Sequence, residues 1–338
     1  MKSDLYIELK ASVASGPRSM EAVADVGETL WEIERRLGRA QLQERLRLET
    51  EYERRVQRFG TRFFHVDNWY SVHSVIRNSL RLVGLHTRAQ RNARAVTARA
   101  NDAPLRALPP AFDGYTILQI SDPHLDMHPD VPEVLIDCVR NLNFDLCVLT
   151  GDYRTRTFGP CEPTLLAMAQ LRPHIKSDVY AVLGNHDSVR MVPEMEALGI
   201  RVLLNESVAL ERAGATLYLA GIEDAHYYRL HDVDKAAREI PDGAAAVLLS
   251  HTHEAYARAQ QAGFDFMLCG HTHGGQICLP GGFPLITDTD NCPRRYTRGV
   301  WRHQDMLGYT SVGSGTSIVD VRLNCPPEVT LHRLRCAA

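Results

Sequence analysis

The chain has 338 residues, 44% of them hydrophobic and 23% charged, and 38 Lys+Arg against 41 Asp+Glu give a formal charge of −3. These proportions exclude a disordered chain, a collagen-like repeat and a disulfide-packed miniature, and the near-neutral balance carries no overall basic field for nucleic acid. The charge is uneven, because residues 1–100 hold 18 basic and 12 acidic groups, which leaves −9 on the remainder. The length predicts two units, a basic N-terminal appendage and an acidic main body.

In chain order, residues 20–59 predict helix. Met20, Val23, Val26, Leu30, Ile33 and Leu37 recur at three- and four-residue steps, and Gly38 interrupts the stripe. The charges at 44–58 alternate in sign and read as a solvated helix face. A second helix is expected from Asp67 onward, with Trp69, Val72, Ile76, Leu80 and Val83 on one side. The aromatic cluster FFHVDNWY ahead of it reads as a packing knuckle against the main domain, or as an interfacial anchor. RAQRNARAVTARANDAPLRALPPAF, basic and then proline-bearing, reads as a connector that ends near residue 112. The boundaries expected are 1–105 for the appendage with its linker and 113–338 for the catalytic domain.

From Tyr115 the texture changes. The runs YTILQIS, FDLCVLT, VYAVLG, ATLYLAGI, AAAVLLS and FDFMLCG alternate with helical spacers such as VPEVLIDCVRNLN and CEPTLLAMAQL. That alternation predicts an α/β domain with buried strands. No run of about 18 apolar residues predicts a transmembrane helix, and MKSDLYIELK lacks the apolar core of a secretory signal. The eight cysteines form no CxxC pair, and several sit within apolar runs as small hydrophobes. A cytoplasmic protein without structural disulfides is expected.

Five polar clusters follow the strands directly. They are Asp122-Pro123-His124, Gly151-Asp152-Tyr153-Arg154, Gly184-Asn185-His186-Asp187, His251-Thr252-His253-Glu254 and Gly270-His271-Thr272-His273. Ligand groups gather beyond the carboxyl ends of strands in such sheets. Carboxylate, imidazole and amide ligands without cysteine suit two divalent ions, Mn²⁺ first and Fe²⁺/Fe³⁺ or Zn²⁺ as alternatives. Phosphate-ester hydrolysis needs a nucleophile near neutral pH and a sink for phosphoryl charge. Two metals about 3.5–4 Å apart supply both.

In this order the clusters resemble the calcineurin-like metallophosphoesterase superfamily over residues 113–336. The tail, GHTHGGQICLP, RRYTRGVW, MLGYTSVGSGTS and NCPPEVTLHRL, resembles its bacterial phosphodiesterase branch, which includes cell-envelope and lipid-precursor hydrolases. The resemblance implies a two-sheet α/β sandwich flanked by helices in four layers, preceded here by the helical appendage. It implies Asp122, His124 and His273 on one metal, Asn185, His251 and His271 on the other, and Asp152 bridging both. His186 would assist the leaving group. Arg154, or its neighbour Arg156, would face the phosphate, and His253 is an alternative to His251. His65, His73, His86 and His128 read as structural or surface groups.

The expected reaction is hydrolysis of a phosphodiester or pyrophosphate bond, in a small-molecule or lipid-linked substrate, by a metal-bridging hydroxide. The rival enzyme readings are a UDP-diacylglucosamine-type lipid-precursor pyrophosphatase and a nuclease, the second disfavoured by the acidic main body. A catalytically silent scaffold is the reading from another class, and the full ligand set argues against it. The basic surplus predicts peripheral contact with the inner membrane face, and the N-terminal helices offer a homo-oligomer contact.

Overall fold

The computed structural model describes residues 30–59, 70–284, 287, 289 and 292–337. The described part begins with helices α1 (residues 30–37), α2 (Arg39–Phe59), α3 (Tyr70–Leu82) and α4 (His86–Ala93). Strands β1 (Thr97–Leu105), β2 (Thr116–Ile120), β3 (Leu146–Leu149), β4 (Asp178–Ala181) and β5 (Ile200–Val202) follow. Helices α5 (Val131–Val139), α6 (Glu162–Leu171) and α7 (Val192–Ala197) lie between them. Next come β6 (Glu206–Arg212), β7 (Ala215–Gly221), α8 (Val233–Ala237), β8 (Ala246–Leu249), α9 (Tyr256–Gln261) and β9 (Phe266–Cys269). A small hairpin of β10 (Cys278–Leu279) and β11 (Phe283–Pro284) precedes β12 (Gly299–His303), β13 (Met306–Thr310) and β14 (Glu328–Cys336).

Two six-stranded sheets result, in the orders β1-β14-β2-β3-β4-β5 and β12-β13-β9-β8-β7-β6. Strands β2 to β5 run parallel in the first, and β7, β8, β9 and β13 in the second. Side chains alternate across a strand with period two, and both faces here are covered, so the strands are apolar throughout. In β3, Leu146 and Val148 enter the layer between the sheets, whereas Cys147 and Leu149 face helices. In β9, Phe266 and Leu268 enter the same layer, and Met267 and Cys269 face the other way. The outer side of the first sheet is covered by α5, α6 and α7, and that of the second by α8 and α9. Helices α5 and α6 each carry a proline in the first turn, where its missing N–H is harmless.

The N-terminal helices join this core. Ile33, Leu37, Leu42 and Leu46 are buried in the cluster that covers the first sheet. Residues 20–29 and 60–69, with Trp69 and most of the aromatic cluster, lie outside the described residues, as do the side chains of Val72 and His73. Ile76 and Leu80 pack inward as expected, but Val83 is 63% exposed because α3 ends before it.

Two sequence expectations change. The stretch read as connector contains α4 and then β1, which pairs in parallel with β14 over nine residues and makes the edge of the first sheet. Only Ala103 and Leu105 of β1 are buried, so an exposed edge strand shows no apolar alternation to read. The charged face at 44–58 is also not wholly solvated, because Arg45 and Glu49 are buried. All eight cysteines are free, and no helix of the described residues is long and apolar enough to cross a membrane.

Candidate metal centre

Adjacent strands β2, β3 and β4 of one sheet and β8 and β9 of the other end at the same place. Their loops bring Asp122, His124 and His273 into one group and Asp152, His251 and His271 into a second, with the ligand atoms of each group within 4.8 Å of one another. All six are buried. The Asp152 carboxylate reaches both groups: Oδ2 lies 4.0 Å from His124 Nε2 and 3.3 Å from His251 Nε2. Asn185 Oδ1 lies 2.9 Å from His251 Nε2, which adds the amide to the second group.

The backbone is strained here. Asp122, His124, Asp152, His271 and His273 have φ between 42° and 73°, a region costing a non-glycine residue on the order of 1 kcal/mol or more. Two glycines make the crowding feasible. A Cβ at Gly184 would fall on Asp152 Oδ1, and one at Gly270 would fall on Ser121 Oγ and Asp122 Oδ2. The glycines of GNHD and GHTH therefore serve close approach to the two carboxylates.

Main-chain carbonyls fix the imidazoles. His124 Nδ1 lies 2.9 Å from Arg154 O, and His251 Nδ1 lies 2.8 Å from Thr150 O. Each Nδ1–H donates outward, which leaves Nε2 facing the centre. There His124 Nε2 sits 3.1 Å from His273 Nε2, and His251 Nε2 sits 3.2 Å from His271 Nδ1. Buried acceptors crowd one another as they do around a cation, and His271 Nε2 has no hydrogen-bond partner.

The electrostatics agree. Burial, then the charge of Asp152, pushes Asp122 up to about 7. Against the opposing effect of burial, His251 and His186 hold Asp152 well below the usual carboxylate range, and Asp152 raises His251 to about 10. Burial drags His124 down to about 4 and, with neighbouring histidines, His271 and His273 well below the ordinary value. The cavity thus favours neutral imidazoles at His124, His271 and His273 and demands positive charge beside its carboxylates, which His251 answers. A nitrogen and oxygen donor set of this kind fits divalent ions.

His186 stands beside the first group. Its Nδ1–H donates to Thr155 O at 2.7 Å, its ring centroid is 5.2 Å from that of His124, and its Nε2 is 3.9 Å from Asp152 Oδ2. Arg154, expected to face the phosphate, is 3% exposed and donates to His186 O, Gly159 O and Cys161 Sγ. Those contacts brace the His186 loop. Arg156 is exposed. His253 is fully buried outside both ligand groups, neither ring nitrogen has a partner, and burial lowers it to about 4. His128 pairs with Asp130 at the surface.

Other contributors escaped the sequence reading. Asp187 accepts from Asp152 N, Tyr153 N and Gly184 N, clamping two ligand loops together, and its place in GNHD was the available signal. Arg322 is fully buried and donates to the carbonyls of His273, Val312, Gly313 and Gly315; nothing in its local sequence marks it. His226 lies 2.8 Å from Glu254 and 4.7 Å, ring to ring, from His271.

A sequence model described as calcineurin-like phosphoesterase matches residues 115–275. Uncharacterized metallophosphoesterase YkoQ of Bacillus subtilis is 30% identical over 256 residues, which cover 73% of this chain and 93% of YkoQ. Phosphodiesterase YaeI of Escherichia coli is 29% identical over 202 residues, 56% of this chain and 70% of YaeI. Uncharacterized metallophosphoesterase YkuE of Bacillus subtilis is 28% identical over 240 residues, 68% of this chain and 82% of YkuE. The matched stretch runs through every strand end from Asp122 to His273, and YkoQ aligns over nearly its whole length: the chain belongs to the calcineurin-like phosphoesterase family of metal-dependent phosphoester hydrolases.

Proposed function

We propose that the protein hydrolyses a phosphodiester or pyrophosphate bond at a two-metal centre. Asp122, His124 and His273 would hold one ion, Asn185, His251 and His271 the other, and Asp152 would lie between them. Mn²⁺ is the first candidate, since the ligands are oxygen and imidazole nitrogen without thiolate. When bound, such a pair supplies Lewis acidity toward phosphoryl oxygens and makes water nucleophilic near neutral pH.

The chain's own residues do the rest. Strained loops held by Asp187 and Arg322 preset the ligand positions, so little reorganisation accompanies reaction. The Thr155 carbonyl orients His186 so that Nε2 faces the centre, where it gives a proton to the departing oxygen. The Arg154 contact to His186 O keeps that loop in place.

The observation that carries this reading is the reach of Asp152 to both ligand groups. Elemental analysis of the purified protein should find two divalent ions per chain. A chelator should abolish hydrolysis of a bis-ester or pyrophosphate, and Mn²⁺ should restore it. One ion per chain, or turnover confined to monoesters, would refute the proposal.

A further inference from the structure

Helix α3 combines exposed side chains that an ordinary solvated face keeps apart. Val75 and Leu82 stand seven residues apart, hence on one stripe, and are 64% and 89% exposed. Arg77 and Arg81, four apart, form a second exposed stripe, well round the helix from the first. The apolar stripe is not a misplaced core face. That role belongs to Ile76 and Leu80, which pack with Ala89, Val319 and Val321. Val83 follows in the turn, and α4 adds Arg88 and Arg91, both exposed.

The charge is equally one-sided. Residues 70–101 hold six arginines and no Asp or Glu. Arg94 pairs with Asp130 and Asp320, and Arg99 pairs with Glu328. Arg77, Arg81, Arg88 and Arg91 have no ion-pair partner among the described residues. Arg47, exposed on α2, is by contrast matched by Glu44 and Glu51.

We propose that the α3–α4 face docks on an anionic lipid surface. Val75, Leu82 and Val83 enter the headgroup boundary, and the four arginines meet lipid phosphates. An interfacial helix needs an apolar stripe flanked by basic groups, and a guanidinium pairs with phosphate oxygens through two N–H donors. A nucleic-acid backbone would use the arginines but has no use for the exposed stripe, so lipid fits both observations. The face is also wired to the metal centre, because Arg322 N donates to Ala89 O on α4 while its guanidinium donates to His273 O. The docking surface does not depend on which ester is cleaved.

Vesicle flotation of the full chain tests this. Phosphatidylcholine vesicles containing phosphatidylglycerol should bind at least about tenfold more protein than phosphatidylcholine alone, and high salt should reverse it. Two variants, Leu82→Ser with Val83→Ser, and Arg77→Gln, Arg81→Gln, Arg88→Gln with Arg91→Gln, should each lose about tenfold in partitioning. Their melting temperatures should match the parent, since every changed side chain is exposed. Equal binding to both vesicle types overturns the proposal, as does binding that survives both variants. Loss confined to the arginine variant marks a general polyanion site instead. A mass change in light scattering caused by the Leu82 and Val83 pair, with vesicle binding intact, would make the face a contact between copies and overturn it likewise.

Discussion

Arg45 Nη2 donates a 2.8 Å hydrogen bond to the main-chain oxygen of Asp187, so α2 touches the loop that carries Asn185 and His186. The guanidinium is fully buried. Its Nε meets Glu49 and its Nη1 meets Glu223, each at 2.9 Å, and its carbon lies 3.4 Å from the Tyr228 ring centroid. Glu49 continues the tie by accepting from Ser188 Oγ and Val189 N. Arg45→Met would leave two buried carboxylates without their shared cation, a change that costs about 3–5 kcal/mol. Thermal melts should show that loss, and adding Glu223→Gln should recover part of it. Arg45→Lys keeps the charge but loses the fork, so kcat should fall more than stability does. Unchanged melting and turnover in both variants would sink the idea that α2 braces the site.

Asp152→Asn tests the shared position in the centre. The carboxylate is nearly fully buried and faces both candidate ligand groups, so in the proposed centre its charge would serve two ions. The variant should bind both metals more weakly in elemental analysis and lose activity by several orders of magnitude. A protein with two metals and near-normal turnover would place the bridge elsewhere.

Much of the candidate site's geometry was legible because each candidate ligand follows an apolar run directly, and buried strands advertise themselves by β-rich runs that end in polar clusters. Residues 97–105 were not legible, because an edge strand exposed along most of its length has no period to detect. Arg45 misled for a related reason. Within QERLRLETEYERR it resembles any solvated arginine, and its partner Glu223 lies 178 residues away. Arg154 and Arg156 stand two apart after one strand, and only the fold reveals that the first turns inward to carbonyls while the second meets solvent.

His332 gives the fold a defined acid sensitivity. It sits on β14 between the sheets, with Nε2 3.0 Å from Gln119 Oε1 and Nδ1 3.0 Å from Asn101 Nδ2. Gln119 Nε2 donates to Thr150 Oγ1 and Cys269 O, so its Oε1 accepts, and His332 is neutral with the proton on Nε2. Burial lowers the folded-state pKa to about 3, whereas the unfolded ring titrates near 6.5. Between those values the unfolded chain binds one more proton, so stability falls as pH drops, by about 1.4 kcal/mol per unit. The contribution is complete above about pH 6.5. Urea denaturation at pH 7, 6, 5 and 4 should give His332→Gln a slope against pH shallower by one proton. Identical slopes would remove His332 as the source.

The final test separates two roles for His186. In the proposed mechanism the two ions would supply the nucleophile, and what they would leave unsupplied is a proton for the departing alkoxide. His186 is suited to that task, because Thr155 O fixes its Nδ1–H and turns Nε2 toward the centre. General acid help is worth about 10²–10⁴-fold and matters most for a poor leaving group. His186→Ala should therefore keep both metals and lose far more rate on an alkyl phosphodiester than on a nitrophenyl ester, whose phenolate departs without a proton. Equal losses on the two substrates would mean that His186 orients the phosphate rather than protonating the leaving group. A missing metal in the variant would carry a different lesson. His186 N donates to Asp152 Oδ1 through the main chain, a bond that alanine keeps, so loss of an ion would show that the imidazole itself helps to hold it and that the ligand assignment around Asn185 is wrong.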